Sequence, residues 1–190
     1  MNRRDAITRV ALLLGGTVAG THLFLEGCNT GDKKAASVRT FSDKDIAYLN
    51  EIADTIIPTT DTPGAKAAGV GAFMTVMVTD CYDATDQKIF FDGMNQINEA
   101  SKKKFGKDFM DISADDRKAL LTELDAEAKT YMANKKPEDP KHYFRLMKEL
   151  TLLGYFTSEI GATQALRYVA VPGKYEGCIP YKKGDRAWAT

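Results

Sequence analysis

Apolar side chains recur at helical spacing along most of the chain beyond residue 40. The first set lies three or four residues apart and shares one helix face: Ile46, Leu49, Ile52, Ala53, Ile56 and Ile57. Ser42 followed by Asp45 is typical of a helix start. The helix is expected to stop before Pro58, because a residue that precedes proline avoids helical backbone. This pattern predicts one amphipathic helix.

Similar patterns predict four more helices, over residues 70–81, 83–106, 113–131 and 142–153. Residues 158–169 are expected to continue the helix over 142–153 or to start a new one. The expected inward side chains are Phe73, Val76, Met77 and Cys81, then Ile89, Phe90, Met94 and Ile97, then Leu120, Leu121, Leu124, Ala128 and Tyr131, and finally Tyr143, Phe144, Leu146, Met147, Leu150 and Leu153. Residues 59–69 and 135–140 have loop composition. No useful strand alternation occurs, so we predict an all-α, single compact domain over residues 40–190, with about five to six helices and an irregular C-terminal tail.

The first 27 residues have the composition of an export signal. Arg3, Arg4 and Arg9 precede residues 10–25, which carry no charge. The Arg3–Arg4 pair resembles a twin-arginine signal, which directs already folded proteins across the membrane. A buried N-terminal helix is the alternative, and the glycines at 15, 16 and 20 disfavour it.

Residues 25–28 (LEGC) resemble the lipobox of bacterial lipoproteins, with Cys28 as the lipid carrier. Acyl chains contribute roughly 0.8 kcal/mol per buried methylene, so several chains on Cys28 would form a stable membrane anchor. Residues 28–39 are polar and small, and we predict that they form a flexible tether. A plain cleaved signal is the alternative. We therefore expect a periplasmic, membrane-anchored lipoprotein.

Two cysteines remain if Cys28 is lipidated. An even number of thiols in an oxidising compartment makes a Cys81–Cys178 disulfide possible. Two unpaired, buried thiols are the equally weighted alternative.

Charge and motif content narrow the possible chemistry. The chain has 26 Lys and Arg against 26 Asp and Glu, which argues against nucleic-acid binding. Gly69 and Gly71 lack the third glycine and the preceding strand of a dinucleotide site. His142, the single histidine after the signal, is expected to be structural. The acidic residues at 108, 111, 115 and 116 lack the spacing of a calcium loop, and helix capping explains them. We predict no catalytic, cofactor-binding or metal-binding residue in this chain.

The C-terminal tail is irregular and rich in aromatic residues. Tyr175, Tyr181, Arg186 and Trp188 are of the types that dominate binding energy at protein interfaces. They predict a partner-binding surface. A lid over the domain's own core is the alternative.

Two stretches carry a family resemblance: residues 51–76 (EIADTIIPTTDTPGAKAAGVGAFMTV) and residues 153–188 (LGYFTSEIGATQALRYVAVPGKYEGCIPYKKGDRAW). They resemble the gluconate 2-dehydrogenase subunit 3 family, the small or gamma subunit of membrane-associated sugar and sugar-acid dehydrogenases. The resemblance implies a helical accessory subunit bound to a large FAD-containing flavoprotein of the glucose-methanol-choline (GMC) type, often with a cytochrome c, whose haem c takes the electrons. It also implies that the large subunit is exported in the folded state together with the small one. The lipobox departs from family members with plain cleavable signals.

Three functions follow from the sequence. The first is an accessory subunit and export escort of a flavin-dependent sugar oxidoreductase, of the gluconate 2-dehydrogenase or glucoside 3-dehydrogenase type. The second is a free-standing periplasmic lipoprotein that binds a small ligand or another protein. The third is an independent enzyme with a site around His142 and the tail.

Overall fold

The computed structural model describes residues 40–189. Its elements are α1 (Asp43–Ile56), α2 (Val70–Cys81), α3 (Ala84–Phe105), a 3₁₀ turn (Phe109–Asp111), α4 (Ala114–Asn134), α5 (Tyr143–Thr157) and a π-helical turn (Gly161–Ala165). Within this range the only β pairing is an isolated bridge between Arg167 and Trp188. The all-α prediction is confirmed. The predicted signal and tether, including Arg3, Arg4 and Cys28, lie outside the described residues.

Local sequence signals set the helix ends. Ser42 forms a capping box with Asp45, in which the Ser42 backbone N–H donates to the Asp45 carboxylate at 2.9 Å. At the other end α1 stops at Ile56, two residues before Pro58. Gly106 closes α3 with a φ of 71°, a left-handed conformation that favours glycine. The caps therefore act as the sequence predicts.

The core lies around α5, which packs against all four other α-helices. Its buried side chains are Tyr143, Phe144, Leu146, Met147, Leu150, Thr151 and Tyr155. They meet Leu49, Ile52, Met74, Phe90, Ile97 and Leu121 of the other helices within one hydrophobic cluster. The helix that the sequence predicts over residues 142–153 is thus the centre of the domain.

The prediction for the inward face of α2 is wrong. Val70, Met74 and Val78 are buried, whereas Val76 and Cys81 are exposed and Phe73 and Met77 are only partly buried. Gly71 decides the orientation, because a Cβ there would lie 2.7 Å from the Ile46 carbonyl oxygen of α1. Glycine therefore lets α1 approach this side of α2.

Two other residues predicted to face inward are exposed in the structure. Leu153 and Tyr131 are exposed, whereas Ile89 is partly buried and packs against the core as predicted. Leu153 lies on the outer face of α5, while the opposite face of that helix fills the core.

The helix predicted over residues 158–169 is shorter in the structure. It ends in the π-helical turn, and Leu166 already has extended backbone. A Cβ on Gly161 would lie 1.8 Å from the Tyr155 carbonyl oxygen, so the turn needs glycine. On α5, a Cβ on Gly154 would lie 2.6 Å from the Phe73 ring. Glycine therefore permits close packing at both positions. None of the helices in residues 40–189 has the length and hydropathy needed to cross a bilayer.

Candidate partner-binding surface

The chain after the π-helical turn forms a long irregular segment, residues 168–187, which we call the C-terminal loop. Its two ends meet at the bridge: the Arg167 N–H donates to the Ala187 carbonyl at 2.8 Å, and the Ala189 N–H donates to the Arg167 carbonyl at 2.9 Å. Loops of this length without regular structure are uncommon in compact domains and often functional.

The base of the loop is also fastened by side chains. The Arg167 guanidinium carbon lies 4.1 Å from the centre of the Trp188 ring, within cation–π range. The Arg186 Nη1 donates to the Gln164 carbonyl at 2.6 Å. We call the bridge and the Arg167–Trp188 contact together the clasp.

The free energy contributed by the clasp is similar in size to the entropic cost of closing the loop. Two backbone hydrogen bonds and one cation–π contact contribute about 3 kcal/mol in total. Closing a flexible loop of about 20 residues costs about 3 kcal/mol. The Arg186–Gln164 hydrogen bond contributes about 1 kcal/mol more, so the closed loop is held by a small margin, and either partner of the clasp matters to it.

The four tail residues of the sequence prediction divide into two pairs. Tyr175 and Tyr181 project from the loop, with 95% and 75% of their surface exposed. Trp188 and Arg186 fasten the base instead. The alternative of a lid over the domain's own core is wrong, because every described residue from 168 to 188 is exposed.

Arg167 is a residue that sequence reasoning missed. It pairs with Trp188 across 20 intervening residues, and no local pattern marks such a distant contact. The presence of two arginines and the chain's single tryptophan in one aromatic-rich stretch was the available signal.

The loop encloses a concave space of about 710 Å³. Its apolar walls are Val169, Pro172, Ile179 and the Trp188 ring, and Tyr175 stands beside them. Lys174 and Glu176 lie at the same cavity and pair with each other at 2.8 Å. The volume falls within the roughly 300–1,000 Å³ range of pockets that hold small molecules or several side chains.

A second exposed apolar surface lies on α2 and α5. Val76, Leu152, Leu153 and Phe156 each expose at least 40% of their area. Phe156 lies three residues after Leu153 and four residues after Leu152, so on α5 it neighbours both of them. Exposed apolar side chains grouped in this way, as on α5, are typical of interaction surfaces.

The two stretches that carry the family resemblance meet in the structure. The Tyr155 hydroxyl of α5 donates to the Pro63 carbonyl at 2.8 Å and lies 3.4 Å from the Thr62 hydroxyl. The loop between α1 and α2 is thereby fixed to α5, next to the π-helical turn. Asp61 and Thr62 share a surface cavity of about 600 Å³ with Thr163, Gln164 and Arg186.

His142 has a structural position. It is the N-cap of α5, where its Nδ1 accepts from the Phe144 N–H at 3.2 Å, and its ring stacks on Tyr143. Burial lowers the pKa of His142, and the Glu127 carboxylate, 3.9 Å from Nε2, opposes that shift more weakly. The third hypothesis, an enzyme built around His142 and the tail, gains no support from this placement.

His142→Asn is expected to weaken the acid sensitivity of folding, because asparagine keeps an N-cap acceptor but does not titrate. Histidine in the unfolded chain has a pKa of about 6.5, and the folded pKa lies lower. The stabilising effect of the neutral ring is therefore present above pH ~6.5 and is lost as the pH falls through the folded pKa. Urea unfolding at about pH 7.5 and about pH 5.5 measures this difference. Equal pH dependence in the two proteins would contradict the assignment.

The acidic residues before α4 act as caps and ion-pair partners. The Ser113 hydroxyl donates to the Asp116 carboxylate at 2.7 Å and accepts from the Asp116 backbone N–H at 3.2 Å, and Lys102 lies 3.0 Å from the Asp108 carboxylate. The ammonium of Lys102 lowers the pKa of Asp108. Among residues 40–189 no group of three or more His, Cys, Asp and Glu side chains is arranged to hold a metal ion.

Cys81 and Cys178 are free thiols in the structure, so the possible bridge between them is not formed there. Both are exposed, which also differs from the alternative of buried thiols. The reason is their placement: Cys81 ends the outward side of α2, and Cys178 lies on the C-terminal loop.

Exposed tyrosine, tryptophan and arginine side chains, as on and beside this loop, are the types enriched at the centres of protein interfaces. Residues 43–173 match the family described as Gluconate 2-dehydrogenase subunit 3. The chain belongs to this family. Searches of curated proteins and of solved structures gave no match. The family match includes residues 51–76 and the clasp residue Arg167, and it ends inside the C-terminal loop.

Proposed function

We propose that this chain is the non-catalytic accessory subunit of an FAD-dependent dehydrogenase that oxidises CH–OH groups of sugars or sugar acids. The partner is a large flavoprotein of the GMC type, and the substrate is chosen there. Family membership carries the proposal. The exposed C-terminal loop supports it, because Tyr175, Tyr181 and the rest of the loop remain uncovered by the domain's own core.

The proposal assigns the redox groups to the partners. FAD belongs to the large subunit, and haem c to a cytochrome c that takes the electrons. This chain contributes binding surface. Since the two proteins must remain together during translocation, we expect an interface larger than the standard ~1,600 Å².

The proposal also assigns the export signal of the complex to this chain. A flavoprotein that acquires FAD must fold in the cytoplasm, so it requires a route for folded proteins. Arg3 and Arg4 supply the twin-arginine signal for both proteins, and a lipid on Cys28 holds the complex at the periplasmic face of a membrane.

Expression of the large subunit with and without this chain tests the escort role. The flavoprotein alone is expected to remain in the cytoplasm, and co-expression should move most of its activity to the periplasmic membrane fraction. The purified accessory chain should show neither flavin absorbance nor turnover. Arrival of the flavoprotein in the periplasm without this chain would refute the escort role, and bound flavin in the isolated chain would refute the assignment of FAD to the partner.

A free-standing periplasmic lipoprotein that binds a small ligand is the second candidate. The cavity of about 710 Å³ inside the C-terminal loop favours it. Purification of the native protein followed by mass spectrometry separates the two: the accessory subunit should copurify with a flavoprotein, whereas the second candidate should be isolated without one.

A further inference from the structure

We propose that the C-terminal loop is a pre-closed docking element that receives an apolar segment with acidic flanks from the large flavoprotein. This inference rests on the proposed function and specifies where and how the partner binds. It commits to one occupant, a projecting segment of the flavoprotein with apolar side chains at its tip and carboxylates beside them.

The shape of the loop supports an apolar tip as the occupant. The concave space is walled by Val169, Pro172, Ile179 and one side of Trp188. Tyr175, almost fully exposed, stands at its edge and is free to cover an inserted segment. The volume of about 710 Å³ accommodates more than a single side chain.

Charge separation within the domain supports acidic flanks on the partner. Residues 167–188 contain five Lys and Arg against two Asp and Glu, a net charge of +3. Residues 40–166 contain 15 Lys and Arg against 21 Asp and Glu, a net charge of −6. Lys182 and Lys183 have no ion-pair partner among the described residues. The basic loop is therefore available to an acidic surface on another molecule and accelerates association with it.

The clasp supports a pre-closed state. Ordering a long loop during binding lowers affinity, and a loop that is closed beforehand avoids that loss. Arg167 holds the closed form through its backbone and through its guanidinium on Trp188. Arg167 is thus a positioning residue, while Trp188 both closes the loop and forms a wall of its cavity.

The test measures binding of the full-length chain to separately purified flavoprotein by biolayer interferometry. Trp188→Ala should weaken affinity by about 30-fold or more, because it removes a clasp partner and a cavity wall together. Arg167→Lys should weaken affinity by about tenfold, since lysine lacks the planar group that stacks on the indole. Trp188 is the only tryptophan of the chain, so stronger acrylamide quenching of its fluorescence in Arg167→Lys reports the opened clasp directly.

The charge arm of the test uses matched double variants. Lys182→Glu with Lys183→Glu should slow association about tenfold at low salt, and the difference should shrink at high salt. Lys103→Glu with Lys118→Glu changes the net charge equally on exposed positions of α3 and α4, and should change association by about twofold at most. All variants should keep the wild-type thermal transition, because none of the substituted residues belongs to the hydrophobic core.

The possible failures are distinguishable. If the wild-type chain binds no flavoprotein, the proposed function fails and this inference with it. If every loop variant binds the flavoprotein like wild type, docking occurs elsewhere and only this inference fails. If the loop variants lose binding to phosphatidylethanolamine–phosphatidylglycerol vesicles but bind the flavoprotein like wild type, the loop contacts the membrane. That result would also overturn this inference.

Discussion

Replacing Arg3 and Arg4 together by lysine should leave both this chain and its flavoprotein partner in the cytoplasm. Lysine preserves the charge, but it replaces the planar guanidinium with a compact ammonium, and a translocase that recognises the arginine pair distinguishes the two. Because the large subunit is proposed to have no export signal of its own, two substitutions in this chain should abolish periplasmic sugar oxidation. Fractionation followed by a dye-linked dehydrogenase assay measures the loss.

Cys28→Ala is the matched control for that experiment. It leaves the arginine pair intact, so export should continue, but it removes the thiol that accepts the lipid. The complex should then appear active in the soluble periplasmic fraction. Periplasmic activity in the double lysine variant would contradict the escort role, and unchanged membrane retention of Cys28→Ala would contradict lipidation.

Arg117→Ala should be strongly destabilising, with a loss of about 3 kcal/mol in the free energy of unfolding. Arg117 of α4 donates to the Glu51 carboxylate of α1 at 2.6 Å and to the carbonyls of Phe109 and Met110 at 3.0 and 2.6 Å. It also lies over the Phe109 ring. One side chain thus joins α1, α4 and the 3₁₀ turn. Its removal leaves two carbonyls without their donor and leaves the largely buried Glu51 carboxylate with Lys66 as its remaining partner.

Lys88→Ala is the matched control, because Lys88 pairs with Asp92 on the exposed surface of α3. Exposed pairs of this spacing contribute about 0.3–0.5 kcal/mol. Urea unfolding of the three proteins by circular dichroism compares the two effects. Equal losses in Arg117→Ala and Lys88→Ala would show that the Arg117 contacts are not structural.

The helix ends could be predicted from sequence because their causes are local. Ser42 and Asp45 lie three residues apart, and Gly106 supplies its own left-handed backbone. The orientation of α2 could not be predicted in this way. Both Val76 and Met74 lie on apolar stripes of that helix, and periodicity alone does not state which stripe meets α1.

For the candidate partner-binding surface, the sequence predicts which residue types take part but not the shape of the surface. Tyr175 and Tyr181 were assigned to a partner interface because aromatic side chains dominate such surfaces. Whether these side chains pack on the domain's own core or are exposed to solvent depends on tertiary contacts, which no local sequence pattern encodes. Arg167 shows the same limit, since its pairing with Trp188 spans the whole C-terminal loop.

By itself the sequence determined the helical class, the helix caps and the family resemblance, because each of these is recognised from residues that lie near one another along the chain. Tertiary structure alone decided that α5 is the centre of the core, that Val76 and Leu153 are exposed, and that Arg167 and Trp188 close a basic loop outside an acidic domain. These features depend on which faces meet after the chain has folded, and that choice is made by the packing of all the helices together.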